Sequence, residues 1–387
     1  MTSPLAPLPA LVTWGESRVG LCATRALGRS NIPTSVISDR PWAPAWRSRY
    51  CRNAVHGPDA DNGDEYVQFL EGYLRANPAS ALILCDDRSA LQVGRNRERF
   101  IGLVPFMLPS QELLECVTDK YLMLRFSLDN DLPTPKTIFI ADEKDLTATI
   151  DQLRWPIALK GSGGYASNRI LKLNKPEELS AAYEFLKAAQ AEDGYASPLH
   201  AQEWVEGTTY SVIVLCQHGK LVARCVIQKG LTFPSWGGVC VTAKTVLSPV
   251  IERAVDKILA HICWHGILEI ELILDHRSGE ASIIELSPDP NWALDLAIAA
   301  GVNFPLILWK LLQGASPDEC QTSGIPGKRF VWLLPEGIQL LVEKPGNFFK
   351  LAKSFLSGKL STDIDLNDSG PVLAWLRRTA RLLKSKP

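Results

Sequence analysis

From Leu11 onward, apolar runs of strand length alternate with segments whose apolar residues recur at helical spacing, and no other feature of the chain restricts its fold as much. The run Leu11-Val-Thr-Trp14 ends at Gly15, a helically spaced segment follows from Arg18 to Gly28, and Thr34-Ser-Val-Ile-Ser38 makes the next run. A helix over Glu65 to Ala76 leads to the buried strand Ala81 to Cys85, which ends at the acidic turn Asp86-Asp87. Strands that alternate with helices belong to a parallel α/β sheet, here over roughly the first 115 residues. Gly15 and Gly20 follow the first strand as a nucleotide loop would. A tight turn and close helix packing explain them as simply, and this is the preferred reading.

The pattern changes after Thr118-Asp119-Lys120. A helix through Asp129 and the turn Leu132-Pro-Thr-Pro135 lead into a strand Thr137 to Ile140, a helix Glu143 to Leu153 and a strand Ile157-Ala-Leu-Lys160. The loop Gly161 to Ser167, a strand Ile170 to Leu173 and a helix Pro176 to Ala191 complete that unit. Strands then crowd together, at His200 to Val205, Tyr210 to Cys216, Leu221 to Lys229 and Gly238 to Val246, as in an antiparallel sheet. A helix Pro249 to His265, strands Ile267 to Leu274 and Ala281 to Leu286, and a helix after Asn291 follow. The tail from about Pro317 is mixed and ends in the basic segment Ala374 to Lys384. There is no internal repeat and no low-complexity tract.

Composition narrows the function classes. The 387 residues suffice for two or three packed units. With 41 Lys and Arg against 42 Asp and Glu the net charge is -1, so no positive field draws in nucleic acid or an anionic bilayer. The greasiest stretch, Leu294 to Leu312, is interrupted by Asp295, Asn303, Pro305 and Lys310 and makes no membrane span. The Pro-rich start lacks a secretory pattern, and the nine cysteines, without a C-x-x-C pair, read as buried thiols of a reducing cytoplasm.

Two clusters carry chemistry. Lys160 ends an apolar strand and precedes Gly161-Ser-Gly-Gly-Tyr-Ala-Ser167, whose backbone N–H groups can turn toward an anion. The segment does not match G-x-x-x-x-G-K-S/T, so a P-loop is excluded, and a plain hairpin turn remains the alternative. Glu269 and Glu271 share one face of a strand by its period of two, and Glu285 ends the next strand just before Ser287, Asp289 and Asn291. Glu271 and Glu285 stand in Ile-Glu-Leu-Ile-Leu and Ile-Ile-Glu-Leu, where an unpaired charge is costly and a cation such as Mg²⁺ is a natural partner. His261 and His265 have i, i+4 spacing but lack the Glu of H-E-x-x-H, so a metal role is not expected. The basic residues Arg377, Arg378, Arg381, Lys384 and Lys386 read as a solvated helix face.

In this order, Asp119-Lys120, Lys160 with its loop, Gln202-Glu-Trp-Val-Glu-Gly207, Ile270-Glu271-Leu and Glu285-Leu-Ser-Pro288, the chain resembles the ATP-grasp superfamily, in its carbamoyl-phosphate-synthase-like branch. Gly237-Gly238 and Ala300-Gly-Val-Asn-Phe-Pro305 add to the likeness, which spans roughly residues 10 to 312. The resemblance implies an α/β chain with a Rossmann-like pre-grasp domain (1–117), a small lobe (118–200) and a large lobe (201–316) of an α+β grasp domain, and a mixed C-terminal extension (317–387). It implies ATP and Mg²⁺ as cofactors. Lys120 and Lys160 would contact the phosphates, with Ser162, Gly163 and Gly164 closing over them. The hinge Glu203, Trp204, Val205 and Glu206 would meet the adenine edge through a side chain and backbone. Glu271, Glu285 and Ser287 would hold the metal.

Where the family usually writes E-x-N-P-R, this chain writes Glu285-Leu-Ser-Pro-Asp289. The lost Arg commonly steadies an acyl phosphate or oxyanion. Lys229 could replace it, and Asp289 would face a cationic group, either a substrate amine or Lys229. Asn291 completes the catalytic set of Lys229, Asp289 and Asn291. Thr209 stands where an acid often binds ribose. The implied activity is that of a cytoplasmic carboxylate-amine ligase joining a small-molecule carboxylic acid to an amine through an acyl phosphate, with a homodimer left open. The alternative is a degenerate grasp protein that binds nucleotide without turnover. A biotin-dependent carboxylase component is not expected, because the tail carries no carrier motif.

Overall fold

Four parallel strands open the chain in the computed structural model, which describes residues 7–161, 170–192, 197–233, 238–290, 292–343, 346 and 360–384. They are β1 (Ala10–Val12), β2 (Thr34–Ser38), β3 (Cys51–His56) and β4 (Ala81–Ile83), in the spatial order β3-β2-β1-β4. The sequence reading has no strand at β3, because Arg52, Asn53 and Ala54 are exposed along this sheet edge and no apolar run marks it. Helix α1 (Arg18–Arg29) starts at Ser17, whose hydroxyl accepts from the Gly20 N–H at 2.9 Å. A Cβ on Gly20 would lie 2.3 Å from the Trp14 carbonyl oxygen, so this glycine serves close packing, as expected. Helices α2 (Gly63–Ala76), α3 (Asp87–Arg95), α4 (Arg97–Phe100) and α5 (Gln111–Thr118) follow. The acidic turn after β4 is structural as well as acidic: Asp86 caps α3 by accepting from the Ser89 N–H at 2.8 Å. Helix α6 (Lys120–Asp129) is capped by Asp119, which accepts from the N–H groups of Tyr121 and Leu122.

The small lobe contains β5 (Thr137–Ile140), α7 (Glu143–Gln152), β6 (Ile157–Lys160), β7 (Ile170–Leu173), α8 (Leu179–Glu192) and β8 (Leu199–Glu203). Its antiparallel sheet runs β5-β8-β6-β7, which carries the lobe past the boundary expected at residue 200. Alternation divides the sheet. Ile157, Leu159, Leu199 and Ala201 point into a core with Leu179, Tyr183 and Leu186 of α8, which leaves Ala158, Lys160, His200 and Gln202 on the other face.

The large lobe comprises β9 (Gly207–Gln217), β10 (Lys220–Lys229), β11 (Thr232–Phe233), β12 (Val239–Cys240), β13 (Thr242–Thr245), α9 (Pro249–Leu259), β14 (Gly266–Asp275) and β15 (Ala281–Ser287). The expected strand Gly238 to Val246 is broken in two, because Val241 and Thr242 both donate to the Leu231 carbonyl and the chain changes partner there. Helix α9 stops six residues short of His265, so that Trp264 can bury its ring and donate its indole N–H to the Ile267 carbonyl at 3.0 Å. His265 consequently leaves the helix and stacks on His218 at 4.0 Å.

After α10 (Leu294–Ala299), α11 (Phe304–Leu312) and α12 (Pro317–Cys320), the C-terminal segment joins the large sheet. β16 (Thr322–Ser323) pairs with β10, β17 (Arg329–Val331) with β13, and, beyond α13 (Glu336–Glu343), β18 (Leu360–Thr362) with β17. The strand path is β15-β14-β9-β10-β13-β17-β18, so the residues beyond 316 complete the lobe rather than append to it. The last helix, α14 (Gly370–Lys384), returns to the first domain and packs on the turn Pro44–Arg47. Arg378, expected to be solvated, lies 4.2 Å from the Trp42 ring, while Arg377 is exposed. All nine cysteines are free thiols, but Cys263 is exposed and Cys51 and Cys116 are half-buried, so six of the nine fit the buried reading. No helix among the described residues is long and apolar enough to cross a membrane.

Candidate functional site

Lysines from two elements and carboxylates from two strands meet between the lobes. Lys160 sits at the end of β6 and donates to the Gln202 amide oxygen across the sheet. Burial, and then the Lys120 charge, lower its pKa to about 8, with Glu285 and Glu271 acting in the opposite direction. Lys120, the first residue of α6, reaches to 3.8 Å from the Glu285 carboxylate. Glu285 stands directly across from Glu271 in the β14-β15 ladder, and Ser287 across from Glu269. Both acids of β14 share a face, as their spacing requires, and a bulge follows immediately after Glu271.

The two β14 acids differ in their partners. Glu271 accepts from Lys229 at 2.5 Å, and although burial works against the Lys229 charge, Glu271 and Glu269 together hold its pKa above the ordinary lysine value. Glu269 is buried, accepts from the Ser211 hydroxyl at 2.7 Å, and is pushed up to about 7 by its burial. Glu271 and Glu285 thus stand opposite each other on adjacent strands, each beside a lysine. Among the described residues no three His, Cys, Asp or Glu side chains converge as a self-sufficient metal site. Two carboxylates on adjacent strands fit Mg²⁺, which keeps several waters and completes its shell from substrate phosphates.

The segment at the end of β8, expected to be the hinge, is tied to the small lobe. Glu203 accepts from the Arg154 backbone N–H and guanidinium, each at 3.1 Å, and Glu206 pairs with Lys172 at 3.2 Å. Lys172 also lies 4.3 Å from the centre of the Trp204 ring. Trp204 donates its backbone N–H to the Pro156 carbonyl, and Val205 is half-buried beside it. Asp289 approaches Cys85 at the end of β4, where burial, Asp86 and Asp289 raise the thiol pKa. Lys229, one of its two expected partners, pairs with Glu271. Ser162, Gly163, Gly164 and Asn291 lie outside the described residues.

Sequence reasoning missed an aromatic wall beside Lys229. The Lys229 ammonium lies 5.6 Å from the Trp292 ring, Trp292 meets Trp332 edge-on at 4.7 Å, and the Arg18 guanidinium stands 5.4 Å from Trp332. Arg18 opens α1 and pairs with Glu336 of α13, so the first domain and the C-terminal segment both reach this wall. A second feature without a motif is a cavity at the carboxyl ends of β1 and β2, lined by Trp14, Glu16, Ser38, Asp39, Tyr66 and Asp86. Burial raises Glu16 to about 7 and Asp86 to about 6. An open parallel sheet has its crevice at this end.

A Rossmann-like first domain, a small antiparallel lobe with Lys160 at the end of one strand and a large lobe presenting paired acids make up the ATP-grasp fold. No family model matches the sequence, and no curated protein matches it. Solved structures do. The biotin carboxylase domain of Hydrogenobacter thermophilus 2-oxoglutarate carboxylase, in complex with MgADP, ADP and bicarbonate, is 15% identical, with a TM-score of 0.67 and coverage of 84% of this chain and 74% of that one. N5-carboxyaminoimidazole synthetase from Staphylococcus aureus, complexed with ADP, is 13% identical at a TM-score of 0.66, covering 89% and 86%. Phosphoribosylglycinamide synthetase from Anaerococcus prevotii is 17% identical at a TM-score of 0.60, covering 81% and 77%.

Proposed function

We propose that this chain is an ATP- and Mg²⁺-dependent carboxylate-amine ligase acting on a small-molecule acid and amine. The observation that carries the reading is the convergence of Lys120 and Lys160 with Glu271 and Glu285 across one cleft. Lys120 and Lys160 neutralise and orient the triphosphate, and the hinge from Glu203 to Val205 lines the base. Glu271 and Glu285 would hold Mg²⁺, which when bound supplies charge neutralisation between the phosphates. The carboxylate oxygen of the acid attacks the γ-phosphorus as the bond to ADP breaks. The amine then attacks the acyl carbon, loses a proton and expels phosphate, so one amide, one ADP and one phosphate form per ATP. Lys229 is the cation on this side of the cleft that takes the place of the missing Arg. The free thiols suit a cytoplasmic setting.

The test is incubation with Mg-ATP and pooled acids and amines, read by mass spectrometry for a condensed product equal in amount to the ADP formed. Mg-ATP should also raise the melting temperature, since a ligand bound only by the folded state stabilises it. A second reading, nucleotide binding without turnover, is favoured by Asp289 in place of the Arg and by the engagement of Glu203 with Arg154. A thermal shift without ADP formation from any pool would select it. No shift with ATP or ADP at millimolar concentration would remove both.

A further inference from the structure

His200 has no part in the reading above, yet it is the side chain directly across the β6-β8 ladder from Lys160. It belongs to the face that carries Lys160 and Gln202, opposite the small-lobe core, and it is 3% exposed. Its Nδ1 is buried with no hydrogen-bond partner among the described residues, and the Phe139 ring stands 6.2 Å from its own. A buried imidazole nitrogen without a partner forfeits hydrogen bonds it would make in water, and such a group in a folded protein calls for an explanation.

The surroundings select the kind of partner. Burial, followed by the Lys160 and Lys120 charges, lowers the His200 pKa to about 3, so the ring is neutral and carries one N–H. A third cation beside two lysines would be repelled, whereas a neutral donor adds a hydrogen bond without adding charge. Along β8 the ring lies at the Lys160 end of the strand, and Gln202 lies nearer the hinge at Trp204. That places it with the phosphate-directed lysine rather than with the base-directed hinge.

Resting on the ligase reading of this cleft, we propose that His200 is a nucleotide-binding residue whose imidazole N–H donates to a phosphate oxygen of ATP beside Lys160. Nucleotide affinity then depends on a neutral donor at this position, and the dependence follows the phosphates and not the nucleoside.

The experiment is calorimetric titration of the full chain with ATP, ADP and adenosine in the presence of Mg²⁺, for the natural protein, His200→Ala and His200→Gln. His200→Ala should weaken ATP and ADP about ten- to hundredfold and leave adenosine within about twofold. His200→Gln, which keeps a neutral donor, should recover most of the loss. Equal weakening of all three ligands, or unchanged ATP affinity in His200→Ala, would overturn the proposal. An independent readout needs no substitution. With ¹⁵N-labelled histidine, Mg-ATP should shift the His200 ring resonances of the natural protein and adenosine should not; an unmoved His200 resonance at saturating ATP overturns the proposal. If the natural protein binds no nucleotide at all, the ligase reading itself fails, which is a separate result.

Discussion

Burial, and then the Lys120 charge, lower the Lys160 pKa to about 8, whereas the phosphate contact proposed above needs the charged form. Below pH 8 the free protein holds the charge and ATP binds without proton exchange at this site. Above it the lysine must take up a proton to bind, so affinity should fall as pH rises from 8 toward 10, by at most tenfold per pH unit. Fluorescent-nucleotide titrations at pH 7, 8 and 9 should show this slope, and Lys160→Met should bind weakly at every pH and lack it; a flat profile in the natural protein would contradict it. At this scale the sequence is legible where a motif places a charge at a helix start or on a strand, as at Lys120, Lys160, Glu271 and Glu285. It is silent at His200 and Arg18, because their roles come from partners on other elements and no local pattern records them. Gln202 could be read only as part of its motif, since its bond to Lys160 depends on the register of β6 against β8.

Element pairing turns this set of acids into a graded one. The β14-β15 register puts Glu271 opposite Glu285, but their neighbours differ: Lys229 is bound tightly to Glu271, whereas Lys120 is 3.8 Å from a Glu285 side chain that is 42% exposed. Glu285→Gln should therefore remove turnover by more than a hundredfold while the melting temperature stays nearly unchanged, since an exposed ion pair contributes little stability. Glu271→Gln should lose turnover as well, but should also lower the melting temperature, because Lys229 is left in a buried site without its closest counter-charge. Equal thermal stability of the two variants would argue against the Lys229-Glu271 pair as drawn. The element pattern itself was readable where an apolar run or a helical spacing is clean, as in β2, β5, β6 and α1. It failed where an element is specified by its neighbours: β3 is a polar edge strand, β12 and β13 are separated by a change of hydrogen-bond partner, and α9 yields its last turn to the burial of Trp264.

Across the whole molecule, the small lobe has its own core, while the first domain and large lobe share theirs: Ala10, Val12 and Leu27 pack in one cluster with Ile213, Cys225 and Phe304. The C-terminal segment adds a second connection that no local pattern in the sequence announces, because its partners are hundreds of residues away. Asp368 accepts from Arg25 at 2.8 Å, from the Ser48 hydroxyl at 2.8 Å and from the Arg49 N–H at 2.7 Å, with both charged side chains almost fully buried. Just beyond it, Gly370 lies so close to Arg47 that a Cβ would come within 2.0 Å of the Arg47 carbonyl oxygen. Asp368 is thus the point where the chain that leaves β18 is fixed to α1. Two effects follow from its removal. Arg25 keeps its burial and its charge but loses the carboxylate, and breaking a buried pair from one side costs about 3–5 kcal/mol. The loss also releases the start of α14, whose Trp375 and Arg378 pack on Trp42 of the same domain. Asp368→Ala should accordingly lower the unfolding free energy by about 3 kcal/mol or more, and hydrogen exchange should quicken in α14 and the Pro44–Arg47 turn before it does in β6 and β8. Asp368→Asn, which keeps an acceptor for Ser48 and Arg49, should lose less. If Asp368→Ala unfolds at the same denaturant midpoint as the natural protein, this connection contributes no stability and the shared core alone joins the first domain to the large lobe.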